Sequence, residues 1–147
     1  MKTKLIILAL FVSMCSNQAQ EKDEMKIISL STTHTEIIQS LGAKNTLVGV
    51  DAFSKVDFPV EVIDAYTITA EELVPLNADI VIIAFDFNGI VDGLEAEEIN
   101  YILLPPAKNL DDVYSQITTI GDIVDKKNEA SSKIRDIKLE INRNLRN

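Results

Sequence analysis

A single cysteine, Cys15, has no second cysteine with which to form an internal disulfide, and tryptophan is missing altogether. Basic residues are scarce: 14 Lys and Arg stand against 23 Asp and Glu, for a net charge of -9 and a pI near 4.5. Nucleic acid and anionic lipid both call for a basic surface that displaces counterions, so the composition argues against a general attraction to either. No apolar run is long enough to cross a bilayer; the longest near the start, Leu5 to Val12, is far short of the roughly 20 residues required. With five glycines, four prolines and a quarter of the residues charged, neither a collagen-like repeat nor a disordered tail is supported. The phosphate-cradling patterns G-x-x-x-x-G-K-[ST] and G-x-G-x-x-G do not occur, and neither does the G-x-S-x-G nucleophile elbow. Where a receiver domain would carry paired acids after its first strand, this chain carries hydroxyls.

What remains is a chain of 147 residues, 46% of them hydrophobic, long enough for one domain with a true core and too short for two of good size. Lys2 and Lys4 ahead of Leu5 to Val12 read as an export signal over residues 1–19, followed by a polar tether over 20–25. Loss of the signal removes two lysines and no acids, leaving a charge of about -11 on the exported chain. Two processing routes fit. Val12-Ser13-Met14-Cys15 resembles the lipobox of bacterial lipoproteins, which makes Cys15 a lipidation site, and Asn17-Gln18-Ala19-Gln20 offers ordinary cleavage after Ala19.

From Met25 onward two periodicities alternate. Lys26 to Leu30 predicts a strand, and Thr35 to Leu41 a helix that Gly42 ends. Thr46 to Val50 and Ile63 to Tyr66 predict two further strands. Thr69 and Glu72 have the spacing of a capping box at the head of a helix over 70–76. Ile80 to Phe85 is apolar almost throughout, as a strand covered on both faces must be, and is expected at the centre of a sheet. A short helix over 90–96, a strand over 101–104 and a helix capped by Asn109 and running from Asp111 to Val124 follow. Strands alternating with helices on short connections predict an α/β fold, a parallel sheet with helices on both faces. Lys126 to Leu145 is charged nearly all round apart from the stripe Ile134, Ile137, Ile141 and Leu145. Such a helix lies along a surface or bridges two bodies.

Ligands of an open parallel sheet bind beyond the carboxyl ends of its strands. Those ends are expected at residues 31–34, 51–58, 67–69, 86–89 and 105–109. The exported chain has seven aromatic residues, and five of them, Phe53, Phe58, Tyr66, Phe85 and Phe87, fall in or beside these turns. They suggest a face for a bulky, partly apolar ligand. Thr33 and Glu36 have a second capping-box spacing, which places a helix N-terminus at the crevice, able to hold an anionic or carbonyl group. His34 could ligate a metal or haem or change charge with pH; the plainer reading is a polar loop residue. Asp51, Asp57 and Asp86 could in principle form an oxygen-rich metal site, but their spacings match no known loop and solvated turn acids are the simpler reading. Ser31 beside His34 is the nearest approach to a nucleophile and base, without a third group to orient them. No enzyme is expected and no cofactor is required.

The stretch IISLSTTHTEIIQSLGAKNTLVGVD resembles the opening of the periplasmic binding proteins that serve ATP-driven importers of ferric siderophores, haem and cobalamin. Phe58-Pro59 stands where that family has Tyr-Pro. Glu72-Leu73 with Leu76-Asn77-Ala78-Asp79-Ile80-Val81 is similar to its LEAILALKPDLV, and Asn109 to Tyr114 is similar to its SLDDVY. The resemblance implies two α/β lobes joined by one long helix, with the ligand between them. The chain then corresponds to the N-terminal lobe, residues 26–125, and residues 126–147 to the start of the connector, so that the sequence is a fragment or comes from a truncated gene.

The resemblance also implies ligand contacts at Ser31, Thr32, Thr33 and His34 and at Asp51, Phe53 and Phe58, where Phe53 or Phe58 stacks on the ligand; the reading of the strand-end turns adds Tyr66, Asp86 and Phe87. It implies docking on the ABC permease subunits through an acidic outer residue, a position that here holds Asn88 with Asp86 close by. The binding face carries Lys55 and Lys108 and no arginine, which favours a neutral or weakly charged metal complex such as a corrinoid over an anionic ferric siderophore or haem. The expected function is binding in the periplasm or on the outer face of the membrane, with a lipid on Cys15 as the possible tether. The alternatives are a vestigial single lobe without transport function and a small secreted hydrolase using Ser31 and His34.

Overall fold

The computed structural model describes residues 24–146; the expected export signal, the Cys15 lipidation site and most of the tether lie outside the described residues. Five strands form one parallel sheet: β1 (Ile27–Leu30), β2 (Leu47–Asp51), β3 (Glu61–Ile63), β4 (Ile80–Ile83) and β5 (Tyr101–Leu103), in the order β3-β2-β1-β4-β5. Five helices accompany them: α1 (Thr32–Ser40), α2 (Ala70–Leu73), α3 (Ile90–Ala96), α4 (Leu110–Ile123) and α5 (Lys127–Asn144).

Alternate residues of the strands point to opposite faces and build two cores. Ile27 and Ile82 pack with Ile38 of α1, with Leu41 just beyond its end and with Ile117 and Ile120 of α4. Ile28, Val81 and Ile83 pack with Ala70 and Leu73 of α2 and Ile90 and Leu94 of α3. The sheet is therefore covered on both sides, as the apolar runs predict. The central place belongs to β1, not to β4 as expected; β4 lies beside it. An unbroken apolar run reports burial of both faces, and the two strands share that property, so it cannot rank them.

Several boundaries move for identifiable reasons. β3 ends at Ile63 and does not reach Tyr66, because the Asp64 carboxylate accepts from the Tyr66 backbone N–H at 3.0 Å and closes a turn. α2 gives way to a 3₁₀ turn at Val74–Leu76, where Pro75 cannot continue the α-helical hydrogen bonding. The capping box of Thr69 and Glu72 is present. That of Thr33 and Glu36 is not: α1 starts at Thr32 with Ser31 as N-cap, which leaves both residues inside the helix. The turn is closed instead by buried hydroxyls, with Thr35 Oγ1 donating to Ser29 Oγ at 2.9 Å and Ser29 Oγ to the Ser31 carbonyl at 3.2 Å.

Asn109 caps α4 as expected, its side-chain oxygen accepting from the Asp112 N–H at 2.9 Å while Asp112 accepts from the Lys108 N–H at 2.8 Å. Asn109→Ala is expected to cost about 1 kcal/mol of unfolding free energy, measured by urea denaturation. α5 packs against α4, with Ile134 and Ile137 against the α1 and α4 core and Leu145 largely exposed. Among the described residues no helix is long and apolar enough to cross a membrane.

Candidate functional site

The chain leaves β1 toward β2 by way of α1 and later returns through α2 to place β4 on the other side of β1. The strand order reverses between β1 and β4, and a crevice opens there beyond the strands' carboxyl ends. It is a cleft of about 520 Å³. Ser31, Thr32, Thr33, His34, Asp51, Phe53, Tyr66 and Phe87 all line it, so most of the residues singled out from the sequence converge on one place. A larger hollow of about 990 Å³ lies at the opposite ends of the strands, where Glu24, Asp79, Glu97 and Glu98 gather. Its lining carries no aromatic side chain, and the switch-point cleft is the better candidate despite its smaller size.

Two of the expected contacts do not reach the cleft lining. Phe58 packs half-buried against the α1 and α4 core with the Lys44 ammonium 5.5 Å from its ring centre. Asp86 is exposed, and its carboxylate accepts from the Val91 N–H at 3.1 Å at the head of α3. The outer-surface pair is thus Asp86 and Asn88, both exposed. Lys55 and Lys108 also stand outside the cleft, and its lining contains no Lys or Arg. Asp57, 3.6 Å from Lys44, does not meet Asp51 or Asp86. Among the described residues no cluster of three or more His, Cys, Asp or Glu could hold a metal ion.

Asp51 is the one carboxylate of the lining, and it is buried. Its oxygens accept from Thr32 Oγ1 at 3.2 Å, from the Phe53 N–H at 2.9 Å and from the Ser54 hydroxyl. The carboxylate is thereby satisfied inside the lobe and ties the turn after β2 to the first residue of α1. Asp51 shapes the cleft; its bonds are spent on the protein.

Beside this tie stands a row of aromatic rings. Phe53 meets Tyr66 edge-on with centroids 6.2 Å apart, Tyr66 and Phe87 are 4.7 Å apart, and Phe87 and Phe85 are 5.2 Å apart. Phe53, Tyr66 and Phe85 remain 69%, 52% and 50% exposed, so the row is a surface and not a core. Contiguous exposed apolar area of this kind makes the row a candidate binding face.

His34 lies in the first turn of α1, only 1% exposed, with no hydrogen-bond partner for Nδ1. Burial lowers its pKa from 6.5 to about 4, so the ring is neutral at physiological pH. The loop position expected for it is therefore corrected: helix α1 begins early enough to enclose it. With Nδ1 unpartnered and Asp51 committed to other donors, no Ser–His–Asp relay forms around Ser31.

Gln116 is a lining residue the sequence reading missed. It is buried on α4, and its Nε2 donates to the Pro105 carbonyl at 2.6 Å, which holds the turn after β5 at the cleft. The signal was present: a polar residue among Val113, Ile117 and Ile120 at helical spacing sits on the buried face.

A family model described as periplasmic binding protein matches residues 27–143. Among solved structures, a protein of Staphylococcus epidermidis ATCC 12228 described as a possible iron-binding (periplasmic solute-binding) protein is 23% identical, with a TM-score of 0.71 over 83% of this chain and 50% of that one. The periplasmic haem-binding protein HutB of Vibrio cholerae is 23% identical, with a TM-score of 0.70 over 80% of this chain and 48% of its own. A periplasmic haem-binding protein of Pseudomonas aeruginosa is 21% identical, with a TM-score of 0.72 over 82% and 45%. The chain thus spans about half the length of the solved structures it matches. No curated protein matches it in sequence.

Proposed function

The chain belongs to the periplasmic binding protein family, and from that premise we propose that it is the N-terminal lobe of the substrate-binding component of an ABC importer. Its work is binding outside the cytoplasm, and its ligand is a bulky, partly apolar metal complex: haem, a corrinoid or a ferric siderophore. The observation that carries this reading is the exposed aromatic row at the switch-point cleft. A π-face is what a macrocycle or an aromatic chelator packs against, at roughly 0.5–1.5 kcal/mol per ring pair beyond the area buried. The cleft lining has no cation to meet an anionic complex, which favours the corrinoid among the three. Ser31, Thr32 and Thr33 supply hydroxyls at its edge.

One lobe covers one side of such a ligand, whereas tight sites bury 70–90% of it. The proposed second lobe provides the opposite wall, with α5 as the start of the rigid connector, and the permease docks on the outer surface near Asp86 and Asn88. Export is followed by cleavage after Ala19 or by lipid attachment at Cys15.

Titrating the exported chain with haemin, cyanocobalamin and ferrioxamine B tests the reading, followed by visible absorption and calorimetry. Weak saturable binding of at least one is expected, and Tyr66→Ala should weaken it roughly tenfold. No response to any of the three, with a second lobe of a related protein fused after α5 as well, would overturn the proposal.

A further inference from the structure

The row of rings crosses between two turns that are far apart in sequence. Tyr66 follows β3 at one edge of the sheet, and Phe87 follows β4 on the far side of β1. Apolar contact alone leaves such a pair free to slide, because dispersion has little directionality. A directional bond is present beside it. Asn88 Nδ2 donates to the Tyr66 carbonyl at 2.6 Å, across 22 residues of chain. Tyr66 is thus held at both backbone groups, its N–H by the Asp64 carboxylate at 3.0 Å and its carbonyl by Asn88.

The backbone at Asn88 is unfavourable for most residues. Its φ is +54° and that of Gly89 is +74°, two successive left-handed residues inside the 3₁₀ turn Phe87–Gly89. Asparagine tolerates this region better than other residues with a side chain, although glycine would adopt it more readily still. The position therefore keeps an amide where backbone conformation alone calls for glycine. Asp86 fastens the other side of the same turn to α3 through the Val91 N–H.

We propose that Asn88 is the positioning residue of the aromatic face, its amide locking the turn that carries Tyr66 to the turn that carries Phe87 so that the rings are presented preformed to a planar ligand. The proposal rests on the binding reading given above for its consequence, and on the ligand-free lobe for its test. A preformed face spares the ligand the entropy of ordering two turns, which is where such a bond acts on affinity.

Two variants separate the amide from the backbone. Asn88→Asp keeps size and left-handed tolerance but removes the donor and sets a carboxylate against the Tyr66 carbonyl. Asn88→Gly removes the amide and relaxes the backbone. In the ligand-free protein, the ring-proton NMR shifts of Tyr66 report the Phe87 ring 4.7 Å away. Both variants should move these shifts toward random-coil values, while Asn88→Gly keeps the melting temperature of the parent. Haemin or cyanocobalamin, whichever the parent binds, should bind about tenfold more weakly to both, the equilibrium value of one hydrogen bond. Retention of the parent Tyr66 shifts in Asn88→Gly would overturn the proposal whatever the ligand result. Absence of binding by the parent itself would instead remove the functional reading and leave the ring shifts to decide the role of Asn88.

Discussion

Lowering the pH from 7.5 to 4 should take about 3 kcal/mol from the stability of the lobe through His34 alone. The ring is buried in the first turn of α1 and its pKa falls from 6.5 to about 4 because charging it there forfeits hydration. The unfolded chain takes up a proton near pH 6.5, whereas the folded chain resists until about pH 4. Between these values the unfolded state binds more protons, so stability rises with pH and is lost as the pH falls through the window. His34→Phe, similar in bulk and without charge, should abolish that share of the acid sensitivity. Urea midpoints of both proteins at pH 7.5 and pH 4 measure it, the difference between them cancelling the carboxylates that also titrate. Equal acid losses in the two proteins would show that the ring is hydrated in the folded state. The binding face should suffer with the fold, since His34 lies beneath it and the first turn of α1 forms its edge.

The strand and helix periods made the α/β class legible, because each strand is closed off by turn residues and covered on both faces. Gly42 marked the end of α1 through its left-handed φ of +74°. The ends of α3 and α4 fall within one residue of the expected positions, although the left-handed residues that follow them, Glu98 and Asp125 at φ of +56°, are not glycines. The Lys126 N–H donates to the Gly121 carbonyl at 2.7 Å across the second of these turns. Strand order was not legible: β1 and β4 are both buried on both faces, and the pairing that puts β1 in the middle depends on which face each crossover helix covers.

The gathering of turns at the carboxyl ends of the strands follows from topology, and so Ser31 to His34, Asp51, Phe53, Tyr66 and Phe87 could be named beforehand. Phe58 could not be told from Phe53, because both lie in one loop and only tertiary packing sends the first to the core. Lys55 and Lys108 were misplaced for a related reason: a loop position says nothing of the direction in which its side chain leaves. The use of Asp51 as an internal tie, and of Asn88 as a link to Tyr66, depends on partners 19 and 22 residues away in sequence. No local pattern encodes such pairs.

The placement of α5 is expected to depend just as strongly on one missing methyl group. A Cβ at Gly121 would lie 2.5 Å from the Cβ of Ala130 and 3.3 Å from the Lys126 carbonyl oxygen. Neither Cβ can turn aside by changing rotamer, so the two helices must part. A Cβ–Cβ approach this short belongs at the upper end of overpacking costs, about 3 kcal/mol, against about 1 kcal/mol that alanine gains over glycine within a helix. Gly121→Ala should therefore destabilise by about 2 kcal/mol, and Ala130→Gly by about 1 kcal/mol through propensity alone. Combined, the clash vanishes and the propensities cancel, so the double variant should return close to the parent. The coupling is then about 3 kcal/mol, within the range for directly touching residues. Urea denaturation of the four proteins measures it, and additive single effects would mean that α4 and α5 do not touch at this point. Under the proposed two-lobe arrangement Gly121→Ala should also weaken ligand binding in a fusion carrying the second lobe more than in the single lobe. A tilt of α5 displaces the opposite wall of the site and leaves the aromatic face where it is.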